Sequence, residues 1–451
     1  MERTIFVQIA SYRDPQLIPT LLDLIERATR PDQLRIVVCW QHALDETIGA
    51  FFAHGFSRWH ARHDGAFPTH TLSYRDAIVE LIDVPHQQSQ GACWARNLIQ
   101  QQYHDERYTL QLDSHHYFVD AWDDLAIAML ESLRPRSAKP LLTTYLPGFQ
   151  PGAQRDTLPH TPTGLYFQRF MPEGVLSLRS GWLDNWQALE APVPGAFYSA
   201  HFAFADGHFA VDVRHDPSYF FLGEEISIAV RAFTHGYDIY IPHRVLAWHE
   251  YTRASRVKIW DDHTPEAQAS GLVAENWHAR NDRSFERNRA LLGVDGALSD
   301  GIDFGPYGLG TERTLAQYEA YAGISFAHRG VRRETLDGLP PILDTPVCTS
   351  DEEYKATLLR AHDFRVWAHR ARFTDILPQL DHFRMNAHAQ DGTVIHHGEM
   401  LDAGQFHKHI KREWFDMHLY FATGFEQVPD HYTIELFARD GTLLRELQRS
   451  I

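Results

Sequence analysis

The chain has 451 residues, 44% hydrophobic and 22% charged, the balance of a globular protein with more mass than one ordinary core holds. Its formal net charge of −17 speaks against nucleic acid or an anionic membrane surface as the main partner, because both need a basic face. An anionic small ligand stays open, provided a metal or local arginines neutralise it.

Three widely spaced cysteines, Cys39, Cys93 and Cys348, form no C-x-x-C and imply neither a zinc ribbon nor a disulfide framework. Reduced, buried thiols in a cytoplasmic protein are the simplest reading. No signal peptide is visible, and no apolar run approaches a membrane span.

Residues 4–10, TIFVQIA, are a near-continuous apolar run, as in a strand buried on both faces of a parallel sheet. Ser11-Tyr12-Arg13-Asp14-Pro15 ends it with turn chemistry. Leu17, Leu21, Leu24 and Ile25 mark an amphipathic helix over 17–28, and 34–40 is a second buried strand. That is a βαβ unit with parallel strands. A third strand is expected at 79–84, a helix from Gly91, a strand at 108–112, a helix at 122–133 and a strand at 141–145. The alternation is that of a doubly wound α/β domain. There is no G-x-G-x-x-G after the first strand and no Walker A sequence, which disfavours a dinucleotide oxidoreductase and a P-loop nucleotidase.

Residues 148–164 are rich in Pro, Gly and Thr and read as a long mobile loop near the site. A stretch dense in aromatics follows, including Tyr198, Phe202 and Phe204, and with the loop it suggests a shaped acceptor groove. Residues 220–236 read as a loop entering a helix, with Glu224 and Glu225 at the positive end of its dipole. A strand is expected at 237–242, and VLAWHEY then places His249 after a short apolar run. Residues 293–345 are rich in Gly and Pro, with a helix near 314–322. From Phe364 the texture turns β-like, and Asp391-Gly392 and Asp440-Gly441 are hairpin turn signals, which together suggest a small antiparallel sandwich.

The 108–112 strand runs into Asp113-Ser114-His115-His116. In open α/β sheets, ligands bind beyond the carboxyl ends of the strands. An Asp and a His two residues apart can both face one divalent cation there. The oxygen and nitrogen donors suit Mn²⁺ or another transition ion better than Ca²⁺. The plain alternative is a turn former or helix cap, since 29 histidines make chance pairs common.

ASYRDP after the first strand, ARN (95–97) before the D-x-H, FLGEE (221–225) opening a helix and the W-H at 248–249 occur in that order. Together they resemble the nucleotide-sugar glycosyltransferases of the GT-A fold. In detail they are similar to the family of GlcNAc transferases that includes the Skp1 hydroxyproline GlcNAc transferase. The resemblance covers about residues 3–325, LGTERTLAQYEAYAGISF included. The His at the third position departs from the commoner D-x-D.

The resemblance implies a Rossmann-like GT-A domain over 1–325; beyond it, the Gly- and Pro-rich composition reads as a linker over 326–360 and the β-like runs as a β-sandwich-like domain over 361–451. The resemblance also implies a metal, Mn²⁺ first and Mg²⁺ second, held by Asp113, His115 and His249. Ser11, Tyr12, Arg13 and Asp14 would surround the uridine and ribose of the donor. Arg96 would face the diphosphate or hold Asp113. Glu225, ahead of Glu224, would deprotonate the acceptor hydroxyl in an inverting enzyme, or bind the acceptor and brace the sugar in a retaining one. The donor would be a UDP-sugar, UDP-GlcNAc first, and the acceptor a hydroxyl on a protein, peptide or glycan. Competing readings are a solvated turn for the Ser11–Asp14 segment, a surface salt bridge for Arg96 and helix-end acids for the Glu pair.

A metal-dependent phosphohydrolase would need the same ligands but deliver water. An inactive carbohydrate- or peptide-binding protein is the alternative from another class. The C-terminal domain reads as a structural buttress ahead of an acceptor-recruiting module, because no aromatic platform is evident in the sequence. His396-His397 and His407-Lys408-His409 read as solvated faces ahead of a second metal site.

Overall fold

A computed structural model describes residues 4–252, 256–297, 301–343, 345–348 and 350–451. The chain divides into two compact units. One comprises Met1–Phe167, Met171–His328 and Glu334–Cys348; the other comprises Gln168–Phe170, Arg329–Arg333 and Thr349–Ile451.

The first unit is a mixed α/β domain built on a ten-stranded sheet. At its centre Tyr108–Asp113, Ile5–Tyr12, Leu34–His42 and Ala77–Pro85 lie side by side and parallel. These are the runs that are apolar on both faces, and Leu34–His42 is buried along its whole length. The crossover helix Leu17–Arg27 buries Leu17, Leu21, Leu24 and Ile25, the stripe its spacing predicts.

The sheet is mixed, where the alternation of elements predicts a parallel one. Phe202–Asp206 runs antiparallel between Tyr108–Asp113 and Pro140–Thr143. Thr69–Tyr74 and Ser57–Arg62 extend the far edge as an antiparallel ribbon. This insertion corrects the reading of the aromatic stretch. Tyr198, Phe202 and Phe204 are at most 2% exposed, so they fill core space and do not wall a groove.

The 148–164 segment is also more ordered than its composition suggests. Gly148–Phe149 pairs parallel to Ala247–Glu250, and Arg155–Thr157 makes a 3₁₀ turn. Phe149, Leu158 and Trp248 form a small apolar cluster that pins the segment. Among the described residues no helix is long and apolar enough to cross a membrane.

The second unit is antiparallel. Arg360–His369, Trp414–Thr423 and Ile410–Lys411 form one sheet. Val394–His397, His382–His388, His431–Phe437 and Leu443–Ser450 form the other, with Leu401–Asp402 beside His382–His388. The Asp-Gly pairs fall at two hairpin connections of this second sheet, as their turn chemistry predicts. Alternate residues of both sheets, Val366, Phe383, Phe415 and Leu436 among them, meet in one shared core.

Candidate active site

The site lies at the carboxyl ends of the central parallel strands, where Asp113 stands in register with Ala10. Two residues on, the chain enters His116–Phe118, which pairs antiparallel with Ala247–Glu250 so that His116 faces His249. That pairing delivers His249, distant in sequence, to Asp113 and His115. One donor atom from each of the three lies within 4.8 Å of the others. Asp113 Oδ2 is 3.5 Å from His249 Nε2 and 3.6 Å from His115 Nε2.

The protonation states suit a cation. Burial alone would raise the Asp113 pKa, but His249 and the Arg96 charge hold it well below the usual carboxylate range. Burial pushes His249 far down, so its imidazole is neutral. Among the described residues neither ring nitrogen of buried His249 makes a well-formed hydrogen bond, Nε2 having only the 3.5 Å contact with Asp113. Unpartnered buried nitrogens are costly unless something else fills them. His115 Nδ1 donates to Asp14 Oδ2 at 2.7 Å, which fixes its tautomer and leaves Nε2 as a lone pair. Ser114 donates to the same Asp14 oxygen at 2.7 Å. Burial would raise Asp14 as well, but the hydrogen bonds from His115, Gln16 N–H and Ser114 outweigh it and lower its pKa.

Arg96 comes from the helix Ala92–Gln100, whose start depends on Gly91. Gly91 has φ +119°, and a Cβ there would lie 2.6 Å from the Phe220 carbonyl oxygen. Ala92 N–H donates to that carbonyl at 3.1 Å. One turn later, Arg96 donates to Asp113 Oδ1 and to Glu224 Oε1, both at 2.9 Å. The Cys93 thiol donates to the other Glu224 oxygen at 2.5 Å. Glu224 is therefore held on both oxygens and braces Arg96.

Glu225 is placed differently. Gly223, at φ +93°, turns the chain into the helix Glu224–Thr234, and Glu225 points at Tyr145 and Ala200. It accepts from the Tyr145 hydroxyl at 2.6 Å and from Ala200 N–H at 3.0 Å. Burial pushes its carboxyl up to about 7.

A cavity of about 440 Å³ takes in Tyr12, Asp14, Arg96, Asp113, His115, Glu224, Glu225 and His249. Of the residues singled out in the sequence, Ser11 and Arg13 stay outside its lining. Ser11 is buried, and Arg13 donates to Asp262 at 2.8 Å, as does the Tyr12 hydroxyl at 2.7 Å.

Sequence reasoning missed His201, Tyr145, Cys93 and Arg256. His201 stacks on His249 with ring centroids 4.1 Å apart and stacks on Tyr145 at 5.2 Å. Its Nε2 accepts Leu146 N–H at 3.1 Å, and burial lowers its pKa, so it is a neutral brace for the His249 ring. No local signal marks His201: it precedes a strand whose antiparallel insertion sets it beside Asp113. Tyr145 had one, as the last residue of an expected strand, and it lies just past the end of the observed strand Pro140–Thr143. The Arg256 guanidinium lies 2.7 Å from His115 Nε2, 3.4 Å from Asp14 and 3.2 Å from Glu250. Phe221 and Trp260, edge to face at 5.8 Å, add an aromatic wall to the cavity. Cys93, His215 and Glu224 also converge within 4.8 Å. Cys93 and Glu224 are engaged with each other as above and His215 Nε2 with Gln111 at 2.8 Å, while His215 Nδ1 has no hydrogen-bond partner among the described residues.

No curated protein matches the chain. Among solved structures, GalNAc-T7 with UDP, GalNAc and Mn²⁺ aligns at 13% identity and a TM-score of 0.42, over 71% of this chain and 57% of that one. The chain thus spans less than two thirds of that protein. S. aureus TarS 1–349 in complex with UDP-GlcNAc aligns at 12% identity and a TM-score of 0.34, over 66% of this chain and 74% of that one. S. aureus TarS aligns at 11% and 0.35, over 99% of this chain and 85% of that one. The model of the family "Glycosyltransferase (GlcNAc)" matches residues 4–328, most of the sequence, and the chain belongs to that glycosyltransferase family.

Proposed function

We propose that this glycosyltransferase takes N-acetylglucosamine from UDP-GlcNAc and joins it to a hydroxyl on a protein, peptide or glycan, with a divalent cation held by Asp113, His115 and His249. The observation that supports it most is the convergence of one ionised carboxylate and two imidazoles in a cavity, with neither nitrogen of buried His249 in a well-formed hydrogen bond among the described residues. A cation there, Mn²⁺ first by its donor set, would offset the charge that develops on the departing diphosphate.

The chain's own residues do the rest. Asp14 orients His115, and Arg96 keeps Asp113 ionised and aimed. Arg256 lies against the His115 ring. Exchanging that contact for diphosphate oxygens brings a second positive charge to the leaving group and clears Nε2 for the cation. Glu225, with a carboxyl near neutrality, is suited to take the proton of an acceptor hydroxyl. The Phe221 and Trp260 wall gives that acceptor an apolar face, a feature a water-delivering phosphohydrolase has no use for.

The test is calorimetric titration of UDP with and without Mn²⁺, followed by a UDP-sugar panel scored for UDP release. The expected result is Mn²⁺-dependent UDP binding and fastest release from UDP-GlcNAc. No UDP binding with any divalent ion would overturn the reading.

A further inference from the structure

The second unit carries a surface that the catalytic reading does not use. Its described residues expose three large aromatic side chains, Trp367 at 39%, Trp414 at 42% and Tyr420 at 53%. All three stand on one face of one strand pair. Arg360–His369 and Trp414–Thr423 are in antiparallel register, with Trp367 opposite Asp416, His369 opposite Trp414 and Arg365 opposite His418. Directly opposed residues share a face. The other face of the same pair, with Val366, Ala368, Phe415 and Leu419, is buried in the core.

The exposed side chains are fixed. The two indoles meet at 5.2 Å between centroids, inclined by 56°. The Arg449 guanidinium lies 4.2 Å over the Trp367 ring, and His369 meets the edge of Trp414 at 4.9 Å. Arg365 and Asp416 form a two-pronged ion pair at 2.9 and 2.8 Å, and His418 stacks on Tyr420 at 5.6 Å. Side chains already held in place lose little freedom when a ligand arrives. Exposed rings in a cluster mark a binding surface more often than scattered single ones do.

We infer that this face is a carbohydrate-binding platform. A pyranose offers an apolar C–H face to a ring and a rim of hydroxyls that both donate and accept. The platform matches both: indole and phenol rings for the C–H faces, and between them the exposed Arg365–Asp416 pair, whose guanidinium can donate to hydroxyls and whose carboxylate can accept from them, while Glu413 and Asp363 hold His369 and His418 in place. Trp414 to Tyr420 spans roughly 20 Å along the strand, room for several sugar rings in line. Nucleic acid is disfavoured by the net charge of −17 and by Asp416 within the face. A protein partner would favour a continuous apolar centre, and here an ion pair interrupts the rings. The inference rests on the chain's membership of a glycosyltransferase family, not on the identity of its donor. Tethering a glycan would raise the local concentration of acceptor or product for the transferase.

The test titrates the full chain, without metal or nucleotide, with chitotetraose, cellotetraose, maltotetraose and mannotetraose, read by tryptophan fluorescence and saturation-transfer NMR. Saturable binding of at least one is expected. Trp367→Ala and Trp414→Ala should each weaken it at least tenfold, with Trp414→Phe intermediate. Asp113→Asn should bind as the unaltered chain does, which separates this site from the catalytic cavity. Far-UV circular dichroism checks that each variant folds. The inference is overturned if none of the four binds, or if binding survives both alanine replacements. It is equally overturned if sedimentation shows that the face joins two copies of the chain, with the alanine variants turning a dimer into a monomer.

Discussion

The two units use the same residue types to opposite ends. In the first, His201 stacks on His249 and His116 packs tilted against it, all three buried and driven to the neutral form by desolvation. In the second, His369 and His418 stand on an open sheet face beside tryptophan, tyrosine and aspartate. Burial makes the first set a store of lone pairs, because a neutral imidazole deprived of water needs an electrophilic partner. The second set is held at the surface by carboxylates, His369 by Glu413 and His418 by Asp363, with solvent at the ring edges. A histidine count therefore says little about metal chemistry until the fold assigns each ring its solvent.

This contrast can be broken in four ways. Asp113→Asn should lower turnover at least about a thousandfold, on the order of 4 kcal/mol, and abolish Mn²⁺-dependent UDP binding in the calorimeter. Unchanged UDP affinity would remove Asp113 from the site. Within the second unit, Phe415→Ala removes a fully buried ring and should cost about 3–5 kcal/mol in urea denaturation. Its exposed neighbour Trp414, changed to Ala, should cost less than about 1 kcal/mol. Equal costs would mean that the sheet has no inside and outside.

Glu225→Gln tests burial by pH. The folded-state pKa of Glu225 is raised from 4.5 to about 7, so the folded chain holds this proton more tightly than the unfolded one. The group's contribution is intact below about 4.5 and is lost as pH rises to about 7, a change on the order of 3 kcal/mol. The glutamine variant should lack that fall, so its stability relative to the parent rises across the window. Parallel stability curves would show that Glu225 is not desolvated. The smallest effect is expected for exposed His397→Ala, within about 0.5 kcal/mol in stability and with UDP binding unchanged.

The parallel strands were legible because burial on both faces leaves an unbroken apolar run, as in LRIVVCW. The metal-ligand candidates were legible for a related reason: Asp113 and His115 sit where a readable strand stops. What could not be read was pairing across the chain. Nothing local to Phe202–Asp206 says that it enters the sheet antiparallel, so its rings look like a groove and His201 looks like background. Glu224 and Glu225 look alike in sequence. Their separation into an Arg96 partner and a raised carboxyl depends on which way each leaves the first turn of its helix. The aromatic platform was hidden for the same reason, since Trp367 and Trp414 become neighbours only once two distant strands are in register.

The inserted strand also sets an order of assembly. Ile5–Tyr12, Leu34–His42, Ala77–Pro85 and Tyr108–Asp113 can pair as soon as the chain has grown past Asp113. Pro140–Thr143 cannot join them, because Phe202–Asp206 must slide in between. During synthesis at about 5–20 residues per second, one unpaired strand therefore waits several seconds for its neighbour. His249 arrives later still. The pocket closes after the central strands have paired, so a chain stalled before that point has most of its scaffold, with Asp113 and His115 present and His249 still missing.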